Sequence, residues 1–310
     1  MYDTLNFWVD RAMVGDNPFS IAPYLSDHTE HNSKEGGYNL TGKAGNYSVF
    51  ICNAGISLKG SLSKFLLPDN IHTLNRSGVY EAIQKLSNDL HLPIDRAKVT
   101  RVDVSAVLPM KREPKEYYPF MGDKPHFQRL QATKNTLYYN TIKKQLIFYD
   151  KKAEAKAKGV TIPAGFEGAN LLRVEARFLS RLSKQFNLAE ITGATLTDEK
   201  FYTGMVKRWG DEYFSIHKLK PLSIMDATNI KTVTDGKNMA FAMLLQKEGQ
   251  SFIDAYIAEL KAKKTYTDPE NYTRVKKGLN ELIAASTATD QSDLINELDK
   301  AVNEIILNCR

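Results

Sequence analysis

At 310 residues the chain is long enough for one large domain or two smaller ones, each with a buried core of its own. Lys and Arg total 42 against 36 Asp and Glu, a formal net charge of +6 that suits a polyanionic partner and equally a plain solvated basic surface. Cys52 and Cys309 form neither a CxxC nor a Cys/His spacing, which excludes a zinc-finger or disulfide framework. No apolar run approaches the roughly 20 residues that span a bilayer, and the N-terminal MYDTLNFWVDRAM lacks the apolar core of a signal peptide. The expectation is a soluble protein that stays in a reducing cytoplasm and has no membrane partner.

The first half reads as strands broken by turns. Residues 38–62, YNLTGKAGNYSVFICNAGISLKGSL, alternate short β-prone runs with Gly and Asn punctuation, the pattern of antiparallel strands joined by tight connections. A helix follows: Val79, Ile83, Leu86 and Leu90 recur at helical spacing, and Pro93 closes the segment. In AKVTRVDVSAVLP the period is 2, with Val99, Arg101, Asp103 and Ser105 on one face and Thr100, Val102, Val104 and Ala106 on the other. NTLYYNT and KKQLIFYD read as a hairpin pair, the second running on into the charged helix DKKAEAKAKG. ANLLRVEARFLSRLSKQF is a strand with Arg173, Glu175 and Arg177 on one face, continuing into a basic amphipathic helix. From about residue 190 the character is helical: TLTDEKFYTGMVKRWGDEYF, KNMAFAMLLQKEG, QSFIDAYIAELKAKK and SDLINELDKAVNEIIL. The sequence shows no internal repeat and no low-complexity tract.

Three of these strands, around RVD, FYD and RVEAR, carry ionisable groups where a buried strand would have apolar ones. Taken singly, each could face solvent on an open sheet. As neighbours, Asp103 and Glu175 would converge as hard oxygen ligands for Mg²⁺ or Mn²⁺, leaving Arg101, Arg173 and Arg177 to phosphate. Adjacent carboxylates repel unless a cation or a proton offsets them. A ladder of Arg and carboxylate pairs with no ion is the structural alternative.

The succession VTRVDVS, TLYYNTIKKQLIFYDKKAEAKAKG, NLLRVEARFLSRLSKQF and LTDEKFYTGMVKRWGDEYFSI resembles the phage and plasmid replication proteins related to the filamentous-phage replication initiators. At greater distance it is similar to the trans-acting rolling-circle initiators of staphylococcal plasmids and to conjugative relaxases of that type. The resemblance covers about residues 1–220. It implies a metal-dependent DNA strand transferase that nicks a replication origin and becomes linked to the new 5′ end through a tyrosine. The plasmid initiators place that nucleophile in a hydrophobic-Tyr-acidic-Lys stretch, which falls here on Phe148, Tyr149, Asp150 and Lys151. Lys151 or Lys152 would then hold the flanking phosphate or stabilise the phenolate. The best-known rolling-circle nucleases hold their metal with a His-hydrophobic-His pair, and none of the six histidines here forms one. Only His126, between the Asp103 strand and the tyrosine segment, is placed to supply a third ligand. Tyr138 and Tyr139 rival Tyr149, because adjacent strand residues point to opposite faces and one of the two must share the polar side.

The resulting expectation is an α+β protein, an antiparallel sheet flanked by helices with a helical C-terminal region. Residues 1–192 would form the origin-binding and nicking domain and residues 193–310 the helical region. A conjugative relaxase with the same chemistry, or a non-catalytic binder of origin or single-stranded DNA, are the other readings. With no GxxxxGK[ST] run, any helicase must come from the host, and the helical region either recruits it or packs against the sheet.

Overall fold

The computed structural model describes residues 1–15, 17–32, 38–219, 231–248, 250–285 and 293–309. The strands are β1 (Tyr2–Asp10), β2 (Ser26–Asn32), β3 (Tyr38–Ala44), β4 (Tyr47–Cys52), β5 (Gly55–Ser61), β6 (Lys98–Met110), β7 (Gln128–Thr133), β8 (Thr136–Asn140), β9 (Lys144–Asp150) and β10 (Asn170–Phe178). They form one ten-stranded sheet in the order β2-β3-β4-β5-β1-β6-β10-β9-β8-β7. Every pairing is antiparallel. The α+β architecture expected from the sequence is the one observed.

The strand order contains a repeat that the residues do not show. The first five strands lie in the order 2-3-4-5-1 and the second five in the order 7-8-9-10-6, the same arrangement five places later. The two halves meet at the antiparallel pair β1–β6. Each is followed by a long helix, Arg76–Leu90 after β5 and Glu199–Phe214 after β10, and both helices pack into the same core.

Period-2 alternation explains how the sheet divides its faces. Leu5, Phe7 and Val9 of β1, Val102, Val104 and Ala106 of β6, and Leu172, Val174 and Ala176 of β10 all enter that core. From the first long helix it receives Val79, Ile83, Leu86 and Leu90, the residues whose spacing marks the helix in the sequence. Asn75 caps that helix by accepting from the Gly78 amide at 2.9 Å. From the second helix it receives Met205, Val206, Trp209 and Tyr213, with the Trp209 indole donating to the Val174 carbonyl at 3.1 Å. One expected face position differs. Val99 is buried in the core rather than aligned with Arg101, because the β1–β6 register shifts between Asn6 and Phe7, and the bulge turns one extra residue outward.

The helices after Gly193 divide between two cores. Glu199–Phe214 and the last helix, Asp293–Asn308, pack on the sheet, the latter through Ile295, Leu298 and Val302. Helices Val233–Glu248, Gln250–Ala262 and Glu270–Ala285 bury Leu245, Ile253, Ile257, Tyr272 and Leu279 in a cluster of their own. Among the described residues no helix is long and apolar enough to cross a membrane.

Gly193 fits where no larger residue can. Its amide donates to the Ala97 carbonyl at 3.2 Å, and a Cβ there would lie 2.2 Å from the Ile94 carbonyl oxygen and 3.0 Å from the Asp95 Cα. Both obstacles are backbone, so the chain itself must move. Gly193→Ala should therefore cost about 1–3 kcal/mol in urea unfolding; an unchanged midpoint would show that the contact relaxes freely.

Candidate active site

The face of the sheet opposite the helices Arg76–Leu90 and Glu199–Phe214 has at its centre a row of alternating charges. Arg101 grips Asp103 with two bonds, Nε to Oδ1 at 2.8 Å and Nη2 to Oδ2 at 2.6 Å. On β10, which pairs directly with β6, Arg177 Nε lies 3.7 Å from Asp103 Oδ2 and donates to Glu175 Oε1 at 2.6 Å. Glu175 Oε2 in turn accepts from Arg173 Nε at 3.3 Å. Arg173 also donates to Asp3 on β1, to the Ser105 hydroxyl at 2.8 Å and to the Asn70 carbonyl. Three guanidinium groups thus alternate with three carboxylates, and the row is neutral as a whole.

One end of the row is roofed. Val107 and Leu171 share the face of Arg173 and are buried beneath Ile71, Ile162 and Phe166. The side chain of Arg173 is 1 % exposed, whereas Arg101 is 28 % and Arg177 30 % exposed. Arg101 and Arg177 are therefore partly open to solvent. Arg173, for which the sequence suggests a phosphate contact, has all its described contacts inside the protein.

Tyr149 stands beside this row on β9. Its hydroxyl donates to Glu175 Oε2 at 3.3 Å. The next residue, Asp150, ends the strand and caps the helix Lys151–Ala157, accepting from the Ala153 amide at 2.9 Å. A strand end and a helix start fix the tyrosine from both sides, which accounts for the sequence Tyr-Asp-Lys-Lys at the change of pattern. Lys151 folds back into the protein, where its Nζ donates to Asn70 Oδ1 at 2.8 Å and Glu154 Oε2 at 2.6 Å. Lys152 is half-buried on the first turn of the same helix.

Tyr149, Tyr138, Asp150, Glu154, Lys158 and Arg177 line one cavity of about 410 Å³ on the open face. Tyr139 points the other way and donates to the Gly122 carbonyl at 2.7 Å from within the core. The structure thus separates the two adjacent tyrosines and leaves Tyr138 and Tyr149 together. His126 is not brought to the carboxylates. It follows Lys124 in a loop on the helical side of the sheet, with φ +67°, and shares a cavity with Lys124, Lys144 and Glu212.

Burial and the arginines set opposite protonation tendencies along the row. Burial pushes the Asp103 carboxyl up to about 6, against the pull of Arg101, with neighbouring Glu175 adding to the rise. Burial also works to raise Glu175, but Arg173 and Arg177 outweigh it and hold that carboxyl below its ordinary value. Burial raises the Tyr149 phenol well above its usual range, although nearby Arg173 opposes the shift. The Lys151 ammonium is lowered by burial, with repulsion from Arg173 in the same direction.

Asp103 and Glu175 are hard oxygen donors on adjacent strands, and Mg²⁺ is commonly held by one or two carboxylates, with phosphate and water completing its shell. In that respect the pair fits a divalent ion that arrives with a phosphate. It does not fit a closed protein cage: among the described residues no group of three or more His, Cys, Asp or Glu could hold a metal, and both carboxylates are engaged by arginines.

Asp3, Asn70 and Glu154 complete the site without having stood out in the sequence. Asp3 was hidden from the pattern, since strict alternation puts it on the core face with Leu5, Phe7 and Val9, and the β1–β6 register shift between Tyr2 and Leu5 turns it to the charge row instead. No curated protein matches the chain. Residues 1–200 match the Phage_CRI family, described as the N-terminal region of a replication-associated protein, and the chain therefore belongs to that family of phage replication initiators.

Proposed function

We propose that the protein starts rolling-circle replication in the cytoplasm of its host by nicking one strand of the origin through Tyr149. The observation that carries this reading is the Tyr149 hydroxyl bonded to Glu175 in the middle of a buried charge row, in a chain of the replication-initiator family. Burial makes the phenol harder still to ionise than a free tyrosine, so attack needs a group that takes its proton. Arg101 and Arg177, partly exposed, turn from their carboxylates to the phosphates flanking the scissile bond and orient it for in-line attack. The tyrosine proton passes to Glu175, the phenolate oxygen bonds to phosphorus, and the phosphorus–O3′ bond breaks. The departing 3′ oxygen takes a proton from water, and the hydroxide so formed takes the proton from Glu175, leaving a free 3′-OH as primer and a 5′-phosphotyrosine link on the protein. Attack by a 3′-OH on that link, the same exchange reversed, rejoins the strand. A Mg²⁺ or Mn²⁺ ion held by Asp103 and Glu175 together with the DNA would neutralise phosphate charge as it accumulates.

The test is incubation with supercoiled plasmid bearing the cognate origin, with and without Mg²⁺ or Mn²⁺. The expected products are relaxed circles with protein on the 5′ end; binding without any nick would leave only a DNA-binding role. Asp103→Asn and Glu175→Gln keep side-chain shape while removing charge, and each should slow nicking by about 10²–10³-fold with origin binding retained. Unchanged nicking in either variant would remove that carboxylate from the chemistry.

A further inference from the structure

The open face does not end at the charge row. Across β6 and β1 it continues over the first half of the sheet, where the same topological unit is built with different residues. Asn6 pairs with Arg101 on one side and Lys59 on the other, and Trp8 pairs with Ser57, which pairs with Phe50 of β4. Cross-strand partners share a face. Phe50 is 40 % exposed, Lys59 is exposed and Trp8 is half-buried, so this face presents two aromatic rings and a cation to solvent.

Its charge differs in kind from that of the second half. There each arginine meets a carboxylate. Here Lys59 has no carboxylate partner among the described residues. The acids of this face are committed elsewhere: Asp3 to Arg173, Asp10 to capping the Ala12 amide, and Asp27 to Lys43. The two rings stand on β1 and β4 with only Ser57 between them, about 10 Å apart at the usual strand spacing. A protein partner would call for a contiguous apolar patch. Isolated rings among Ser, Asn and Lys suit a strand of nucleic acid, whose bases stack while its phosphates seek cations.

We infer that the first half of this face is a platform for single-stranded DNA continuous with the Tyr149 site, on which Trp8 and Phe50 stack bases and Lys59 and Arg101 hold phosphates. The identity of the polynucleotide rests on the proposed nicking function. From β9 to β4 the path crosses five strand spacings, about 24 Å. That is room for about seven nucleotides at a stacked rise of about 3.4 Å.

The chain has two tryptophans, Trp8 on this face and Trp209 in the core, so intrinsic fluorescence reports the platform directly. A 20-mer of oligothymidylate titrated into full-length Tyr149→Phe protein should quench the emission saturably, and Trp8→Phe in the same background should abolish the quench. Phe50→Ala should weaken binding about tenfold. Lys59→Gln, an exposed change, should flatten the dependence of log affinity on log salt by about 0.7. Circular dichroism melting of each variant checks its fold. A labelled oligonucleotide that binds with Trp8 emission unchanged and with normal affinity for Phe50→Ala and Lys59→Gln would overturn the platform, and failure of any single strand to bind would do the same. Neither result touches the nicking reading, which is scored separately by the covalent adduct that protein with Tyr149 intact forms on origin plasmid.

Discussion

Tyr149→Phe is expected to abolish both nicking and covalent attachment to DNA while leaving the fold and origin binding in place. The substitution removes one oxygen and keeps the ring, and its only described hydrogen bond is the 3.3 Å contact with Glu175. Loss of that bond should cost about 1 kcal/mol of stability. Loss of the nucleophile costs the whole reaction, whereas loss of a merely positioning hydroxyl would leave slow cleavage. Tyr138→Phe is the matched control, because Tyr138 lines the same cavity. If Tyr138→Phe eliminates the adduct and Tyr149→Phe does not, the nucleophile is Tyr138 and the class of enzyme stands.

Arg173→Met should be the most destabilising single change in the charge row, at about 3–5 kcal/mol. Its guanidinium serves Asp3, Glu175, Ser105 and the Asn70 carbonyl from a fully buried position. Methionine restores much of the volume but leaves two carboxylates facing each other without their shared cation. Urea unfolding followed through Trp209, which bonds the backbone of the same strand at Val174, reads the cost directly. Arg101→Met, at a side chain 28 % exposed to water, should cost far less. Equal effects at the two positions would mean that burial does not set the strength of the row.

What the sequence made legible was whatever depends on local period. The alternation of Arg101, Asp103 and Ser105 and of Arg173, Glu175 and Arg177 places both sets on one polar face, and β6 and β10 pair directly. Helical spacing marks Val79 to Leu90 correctly. Period says nothing about what lies above a face. Arg173 reads as a phosphate contact until Ile71, Ile162 and Phe166 are seen to roof that end of the sheet. Nor does chain order tell which side of a sheet a loop residue takes, and so His126, between two site strands in sequence, lies across the sheet from them. A bulge moves Val99 by one place, beyond the reach of strict alternation. The repeated strand order escapes the residues altogether, because the two halves share a topology while their polar faces differ, one carrying paired charges and the other Trp8, Phe50 and Lys59.

The central claim is a covalent bond between DNA and one tyrosine. Its most direct test is to react the protein with origin DNA in Mg²⁺ or Mn²⁺, digest the denatured complex with nuclease and protease, and identify the nucleotide-bearing peptide by mass spectrometry. The account predicts a 5′-phosphate ester on Tyr149, in the peptide QLIFYDK or an extension of it. An adduct on another residue, or nicked DNA with a free 5′-phosphate and no peptide attached, would contradict it.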